Sequence, residues 1–258
     1  MSLLDHFSLG TGFQRHFRLA AALNPSERDH VYRIRHEVYC EELGFEPVRP
    51  DRREVDEYDR HSLHCLLRTS DAGRSLVGCN RLVLARPEAP DTPLPFERSC
   101  AATLDRRIID PARLHRGSIA EVSRLAVRAG YRRRKGEQNR PFGLNLEDFG
   151  RKEQPRFPYI PISLYLGAVA LAKREGIETL FVLTEPRLAD HFGKLGVQIT
   201  QIGGPVQHRG IRVPSMMDVD SIIRGLRFFV RPLWRVVNEE IDACYQHEAE
   251  AETVIAEC

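Results

Sequence analysis

Seven ionisable residues stand where a plain fold places neutral ones. Arg35 falls on the apolar stripe Val31, Ile34, Val38 and Tyr39 of a predicted helix; Glu54, Asp56 and Asp59 form E-x-D-x-x-D in a connection; Arg81 lies inside one predicted strand, and Glu121 and Arg124 inside another. A guanidinium left unpaired in a low-dielectric interior costs several kcal/mol, so these arginines require carboxylate partners. One shared network is the expectation. With four carboxylates against three arginines it holds one surplus negative charge, which suits a cationic ligand such as an ammonium. An amine must lose a proton before it attacks an electrophile, and a carboxylate can take that proton directly or through water. Ideal strand alternation sends Glu121 and Arg124 to opposite faces, so a common site requires a bulge or contacts at different depths. Taken alone, residues 54–59 read as a solvated acidic loop; Arg35, Arg81 and Glu121-x-x-Arg124 make the shared network the better reading.

The elements that must position these residues follow from pattern. Phe13 to Leu19 alternates as a strand does. Asn24-Pro25-Ser26-Glu27 starts a helix running from Pro25 to Leu43, which Gly44 terminates. Residues 45–60 read as a loop. His61 to Arg68 and Arg74 to Ala85 form an antiparallel hairpin about Ser70-Asp71-Ala72-Gly73. A proline-rich connection leads to a short helix, Phe96 to Leu104, and Ser118 to Val127 is the next strand. Residues 129–159 read as a functional insertion or lid, too long for a simple connection. A helix (Pro161 to Glu175), a strand (Ile177 to Thr184), a helix (Pro186 to Leu195) and strands near Val197 to Ile202 and His208 to Val213 complete an α/β domain with a mixed sheet. The expected division is one main domain, 1–218, and a C-terminal helical extension, 219–258, kinked at Pro232. Arg224, Arg227, Arg231 and Arg235 would gather on one side of that helix, opposite Ile223, Leu226, Val230 and Leu233. It either packs its apolar stripe on the domain or lies on an anionic membrane.

Composition narrows the classes. Of 258 residues, 42% are hydrophobic and 29% charged, which excludes wholesale disorder. A net charge of +2 gives no general nucleic-acid footprint. Six cysteines without a C-x-x-C pair, and no run approaching the roughly 18 apolar residues of a membrane span, point to a reducing, cytoplasmic setting. His61 and His64 could suggest metal binding, but i and i+3 on a strand face opposite ways and no second ligand pair is visible, so no metal is expected.

In order and spacing, Arg35-x-x-x-Tyr39, Phe45, Glu54-x-Asp56-x-x-Asp59, Arg81 in V-G-C-N-R-L and Glu121-x-x-Arg124 resemble the autoinducer (acyl-homoserine-lactone) synthases and the long-chain N-acyl amino acid synthases. The look-alike nearest in pattern is the acyltransferase associated with exosortase and PEP-CTERM sorting systems. The resemblance covers roughly residues 25 to 215. It implies the GCN5-related N-acyltransferase fold: a mixed, mostly antiparallel sheet flanked by helices, here with an insertion and a C-terminal helical extension. It further implies catalytic roles for Glu121, Arg124 and Arg81, and acceptor binding by Arg35, Tyr39, Phe45, Glu54, Asp56 and Asp59. Donor contacts would come from Val127, Arg132, Arg133, Arg134 and Lys135. Autoinducer synthases usually carry Phe and Trp where Tyr39 and Phe45 stand, which leaves room for an acceptor other than S-adenosylmethionine. The pyrophosphate loop of acetyl-coenzyme-A users appears only as Arg133-Arg134-Lys135-Gly136-Glu137-Gln138, so an acyl carrier protein, presenting acyl-phosphopantetheine on an acidic surface, is the expected donor in place of acyl-CoA. The expected reaction moves a long-chain acyl group to the amine of an amino-acid-like acceptor. The alternatives are lactone synthesis from S-adenosylmethionine and a catalytically silent module binding acyl chains or carrier protein.

Overall fold

Strands β3 (Leu76–Leu84) and β4 (Ile119–Val127) are buried along most of both faces because both faces of their sheet are covered. The computed structural model describes residues 8–86, 89–132, 158–185 and 191–256, with side chains to 251. In β2 (Ser62–Thr69), Cys65 and Leu67 join the cluster that contains helix α4 (Tyr159–Arg174), while the intervening Leu66 joins the cluster of helix α2 (Pro25–His36). The period-2 alternation of one strand thus feeds two cores.

The sheet has eight strands in the order β1 (Phe17–Ala21), β2, β3, β4, β5 (Thr179–Thr184), β8 (Ile211–Asp218), β6 (Thr200–Gln201), with β7 (Val206–Gln207) paired to β8. Every pairing is antiparallel except β4 with β5. This is the mixed, mostly antiparallel sheet flanked by helices that the sequence implied.

Several boundaries differ from expectation for identifiable reasons. Phe13 to Leu19 spans a junction: helix α1 (Leu9–His16) is capped by Ser8, whose side chain accepts from Thr11 N at 3.2 Å, and β1 begins only at Phe17. Helix α2 begins at the Asn24 cap, where Oδ1 accepts from Glu27 N at 3.0 Å, and its last turns, Glu37–Glu42, widen into a π-helix before Gly44 at φ 62°. The expected helix after the proline-rich stretch is shorter, Pro95–Ser99 (α3). Strand β8 runs on through Pro214, whose carbonyl still accepts from Ile202 N at 2.9 Å, and His208 to Gly210 belong to the turn before it. Of the helix expected at Pro186 to Leu195, residues 191–194 are helical and 186–190 lie outside the described residues.

Helix α4 is buried from Pro161 to Ala172 because the sheet covers one side and the C-terminal helix, Arg231–Ala256, the other. Val230, Leu233, Val237 and Ile241 are wholly buried in that core. The C-terminal segment is broken rather than kinked: one helix spans Val219–Gly225, residues 226–230 form a turn, and Pro232 sits in the first turn of the next helix, where a missing N–H costs nothing. The four arginines therefore do not share the face of one continuous helix.

Candidate active site

In the antiparallel β3–β4 ladder Arg81 pairs with Ser123 and Cys79 with Ala126, so Arg124 and Leu125 together oppose Asn80. That extra residue is a β-bulge, and Arg124 takes the left-handed conformation at φ 52° that bulges ordinarily give to glycine. The conformation costs a non-glycine residue about 1–2 kcal/mol. Two sets of bonds hold it. Arg124 Nε donates to both Glu54 oxygens at 3.2 and 3.3 Å and Nη2 to Asp56 at 3.0 Å, while the buried Tyr39 hydroxyl donates to the Leu125 carbonyl at 2.8 Å.

The bulge also separates β4 from β5. Their parallel pairing runs only from Ile119 with Thr179 to Val122 with Val182; from Ser123 onward β4 has no register partner on β5. A cleft of about 120 Å³ opens at that point, lined among others by Tyr39, Phe45, Arg81, Glu121, Ser123 and Arg124. Behind it lies a small apolar cavity of about 20 Å³ between α4, β5 and the 219–230 segment, and Val122 and Tyr165 line both spaces.

The charge network forms, with one member fewer than its residue types suggested. Arg35, wholly buried, donates Nε to Glu54 at 2.5 Å and its terminal nitrogens to the two Asp59 oxygens at 2.6 and 3.1 Å. Arg81 Nη1 bridges Asp56 at 2.6 Å and Asp59 at 3.0 Å, and its Nε reaches Ser123 Oγ at 3.1 Å. Asp56 and Asp59 also build a reciprocal cap on the turn Glu57–His61, with Asp56 N donating to Asp59 Oδ2 at 2.8 Å, which explains the D-x-x-D spacing. Burial alone would raise these carboxyls, but the surrounding guanidinium groups hold Glu54, Asp56 and Asp59 below the ordinary carboxylate range. Three arginines meet three carboxylates. The expected surplus negative charge is therefore not in the network.

The fourth carboxyl, Glu121, stands apart. Its Oε2 accepts from Phe96 N at 2.7 Å, and burial pushes its carboxyl up to about 8 against the weaker opposing pull of that bond, Arg81 and Arg124. A carboxyl so placed is mostly neutral at pH 7 and is poised to exchange a proton in the cleft.

Tyr39, Phe45, Arg81, Glu121 and Arg124 come together around the cleft, whereas Arg35, Glu54, Asp56 and Asp59 lie behind its wall and orient the arginines. Val127 is buried at the end of β4, paired with Gly78. Arg132 is nearly buried and ion-paired with Glu42, which also accepts from Ala129 N at 3.1 Å. Arg133, Arg134 and Lys135, with most of the insertion, lie outside the described residues. His208, Arg209 and Arg212 also line the cleft, and residue patterns did not single them out. Arg209, at φ 50°, pairs with Glu46 and lies 5.4 Å over the Tyr39 ring; Arg212 pairs with Glu185 at 3.0 Å. The available signal was H-R-G-I-R, whose glycine marks a tight turn between β7 and β8. No group of three or more His, Cys, Asp or Glu residues that could hold a metal ion occurs among the described residues.

The fold with its splayed parallel pair is that of the GNAT-like acyltransferases. Residues 34–139 match the family described as the acetyltransferase (GNAT) domain. Among solved structures, the acyl-homoserine-lactone synthase LasI superposes with a TM-score of 0.55 at 16% identity, covering 83% of this chain and 98% of that one. MesI, a CoA-dependent acyl-homoserine lactone synthase, gives 0.53 at 18% identity over 86% and 95% of the two chains. FeeM, an N-acyl amino acid synthase from uncultured soil microbes, gives 0.51 at 17% identity over 81% and 94%. No curated protein matches the chain by sequence. Fold and domain match together are those of an acyltransferase.

Proposed function

We propose that the protein transfers a long-chain fatty acyl group from the phosphopantetheine thioester of an acyl carrier protein to the amine of an amino-acid-like acceptor. The observation that carries this reading is the bulge at Arg124, which opens the cleft beside Glu121 and in front of an apolar cavity. The acyl chain enters the cleft and points toward that cavity past Val122 and Tyr165. The acceptor nitrogen attacks the thioester carbonyl carbon. As the C–N bond forms and the C–S bond breaks, the amine proton passes to Glu121, directly or through water, and the departing thiolate takes up a proton. The β4 backbone beyond Val122, free of β5, supplies N–H donors to the developing oxyanion. Arg81 and Arg124, and with them Arg209 and Arg212, meet the acceptor carboxylate. A guanidinium has five N–H donors, and the bonds to Glu54, Asp56, Asp59 and Ser123 use Nε and one Nη each of Arg81 and Arg124, which leaves the other Nη for the acceptor.

Extracting lipids from cells that make the protein and identifying an N-acyl product by mass spectrometry tests the reading and names chain and acceptor together. An acylated homoserine lactone would favour the S-adenosylmethionine reaction instead. Binding of acyl thioester with no release of free thiol would leave a silent binding module. Comparing acyl-CoA with acyl carrier protein decides the donor. The proposed setting is the cytoplasm; among the described residues no helix is long and apolar enough to cross a membrane. Residues 219–258 are proposed as an extension of the acyltransferase domain 1–218 that closes its core.

A further inference from the structure

The turn at 226–230 has two opposite faces. Leu226 and Val230 are buried and line the apolar cavity behind the cleft. Between them Phe228 is 83% exposed and Phe229 36%, their rings in edge contact at 5.7 Å. Two large aromatic side chains side by side in water cost hydrophobic free energy that a domain ordinarily recovers by tucking them in. Here the backbone forbids it. Arg227 N donates to Leu195 O at 3.0 Å, and Gly196, at φ 89°, packs so closely on Gly225 that a Cβ there would meet its carbonyl oxygen at 2.0 Å. With Leu226 and Val230 fixed inward, the residues at the tip face out.

The charge around this tip is mostly positive, with Asp220, 3.5 Å from Arg224, before it in the chain and Glu239 after it. Residues 221–238 contain Arg224, Arg227, Arg231 and Arg235 and no acidic residue, and all four arginines are exposed. Arg231 braces the turn by donating Nε to Leu226 O at 3.0 Å. Exposed aromatic side chains ringed by arginines fit an anionic interface with an apolar layer beneath it, where rings insert and guanidinium groups meet headgroups. An aqueous protein partner of ordinary mixed charge would leave several of those arginines unpaired.

We propose that the Phe228–Phe229 turn is a docking surface for an anionic lipid bilayer, and that it places the wall of the apolar cavity against the membrane. A chain held between Val122 and Leu226 then has a short route into lipid. That second clause rests on the acyl-transfer reading; vesicle binding does not. The turn differs from a membrane-parallel amphipathic helix, because the apolar stripe of the C-terminal helix is spent on the core.

The test is co-flotation of the full chain with vesicles of phosphatidylcholine containing phosphatidylglycerol, set against phosphatidylcholine alone, for wild type and F228S/F229S. Both residues are exposed, so the double variant keeps its fold and its melting temperature. The expected result is binding to the anionic vesicles only, weakened by salt over the Debye range, and at least about tenfold weaker in the variant. Turnover of a water-soluble short-chain thioester should be equal in both proteins, which separates failure of docking from failure of the transferase reading. Absence of wild-type flotation, equal flotation of the variant, or a wild-type dimer that F228S/F229S converts to monomer would overturn the proposal.

Discussion

Glu121 and Arg124 stand three residues apart on one strand and line the same cleft, because the bulge adds a residue at Arg124 and reverses the alternation beyond it. A regular strand would turn one of them away. The cleft thereby holds a proton acceptor whose carboxyl is raised by burial beside a guanidinium fixed by two carboxylates.

Removing Asp59 should be costly. Its oxygens serve both Arg35 and Arg81 in a site only 3% exposed, so Asp59→Ala leaves two guanidinium groups short of a partner and should cost about 3–5 kcal/mol. Denaturant unfolding measures it. A wild-type midpoint would show that the charges are solvated.

Tyr39→Phe should lose about 1–3 kcal/mol, since it leaves the Leu125 carbonyl without the hydroxyl that holds the bulge. Turnover should fall further than stability alone accounts for, because the bulge shapes the cleft. Calorimetry and thioester turnover on the same preparation separate the two effects; a stability loss with full activity would detach the bulge from catalysis.

Stability should pass through a maximum with pH. Glu54, Asp56 and Asp59 are held below their ordinary values, so their contribution is present above about pH 4 and is lost as pH falls. Glu121 has the opposite sign. Its carboxyl is raised from 4.5 to about 8, so its contribution is complete below pH 4.5 and is gone once pH has risen through 8. Unfolding free energies at a series of pH values should show a decline on the alkaline side that is absent from Glu121→Gln; an identical decline in both would assign it elsewhere.

Filling the apolar cavity should change chain-length preference. Val197 lines it and is 5% exposed, and Val197→Phe should lower long-chain turnover about tenfold or more while sparing short acyl groups, since each methylene excluded is worth about 1 kcal/mol or more. Parallel assays with short and long thioesters read the ratio. An unchanged ratio would place the chain elsewhere.

Much of the site was legible because charge inside apolar periodicity is costly enough to require explanation. Arg35 on a helix stripe and Arg81 within a strand announced partners, and E-x-D-x-x-D supplied them. The need for a bulge between Glu121 and Arg124 was also legible, but its form was not, since no residue pattern marks an arginine at φ 52° and glycine is the usual signal. Glu121 could not be told apart from the other carboxylates because its isolation depends on Phe96 N, distant in sequence. Arg209 and Arg212 escaped notice because His208 to Val213 reads as one strand, whereas a turn at 208–210 precedes β8. Phe13 to Leu19 misled because helix and strand meet inside the window, and Pro232 because the helix it seemed to interrupt had already ended.

The account turns on Glu121 taking the amine proton, and the pH dependence of kcat/KM for acyl-thioester aminolysis in wild type and Glu121→Gln tests it most directly. The active form is the carboxylate, so with its carboxyl at about 8 the wild-type value should rise nearly tenfold per pH unit up to that point and then level. Glu121→Gln should be folded, about 10²- to 10⁴-fold slower, and without that inflection. A Glu121→Gln profile that matches wild type in both height and shape would contradict the assignment.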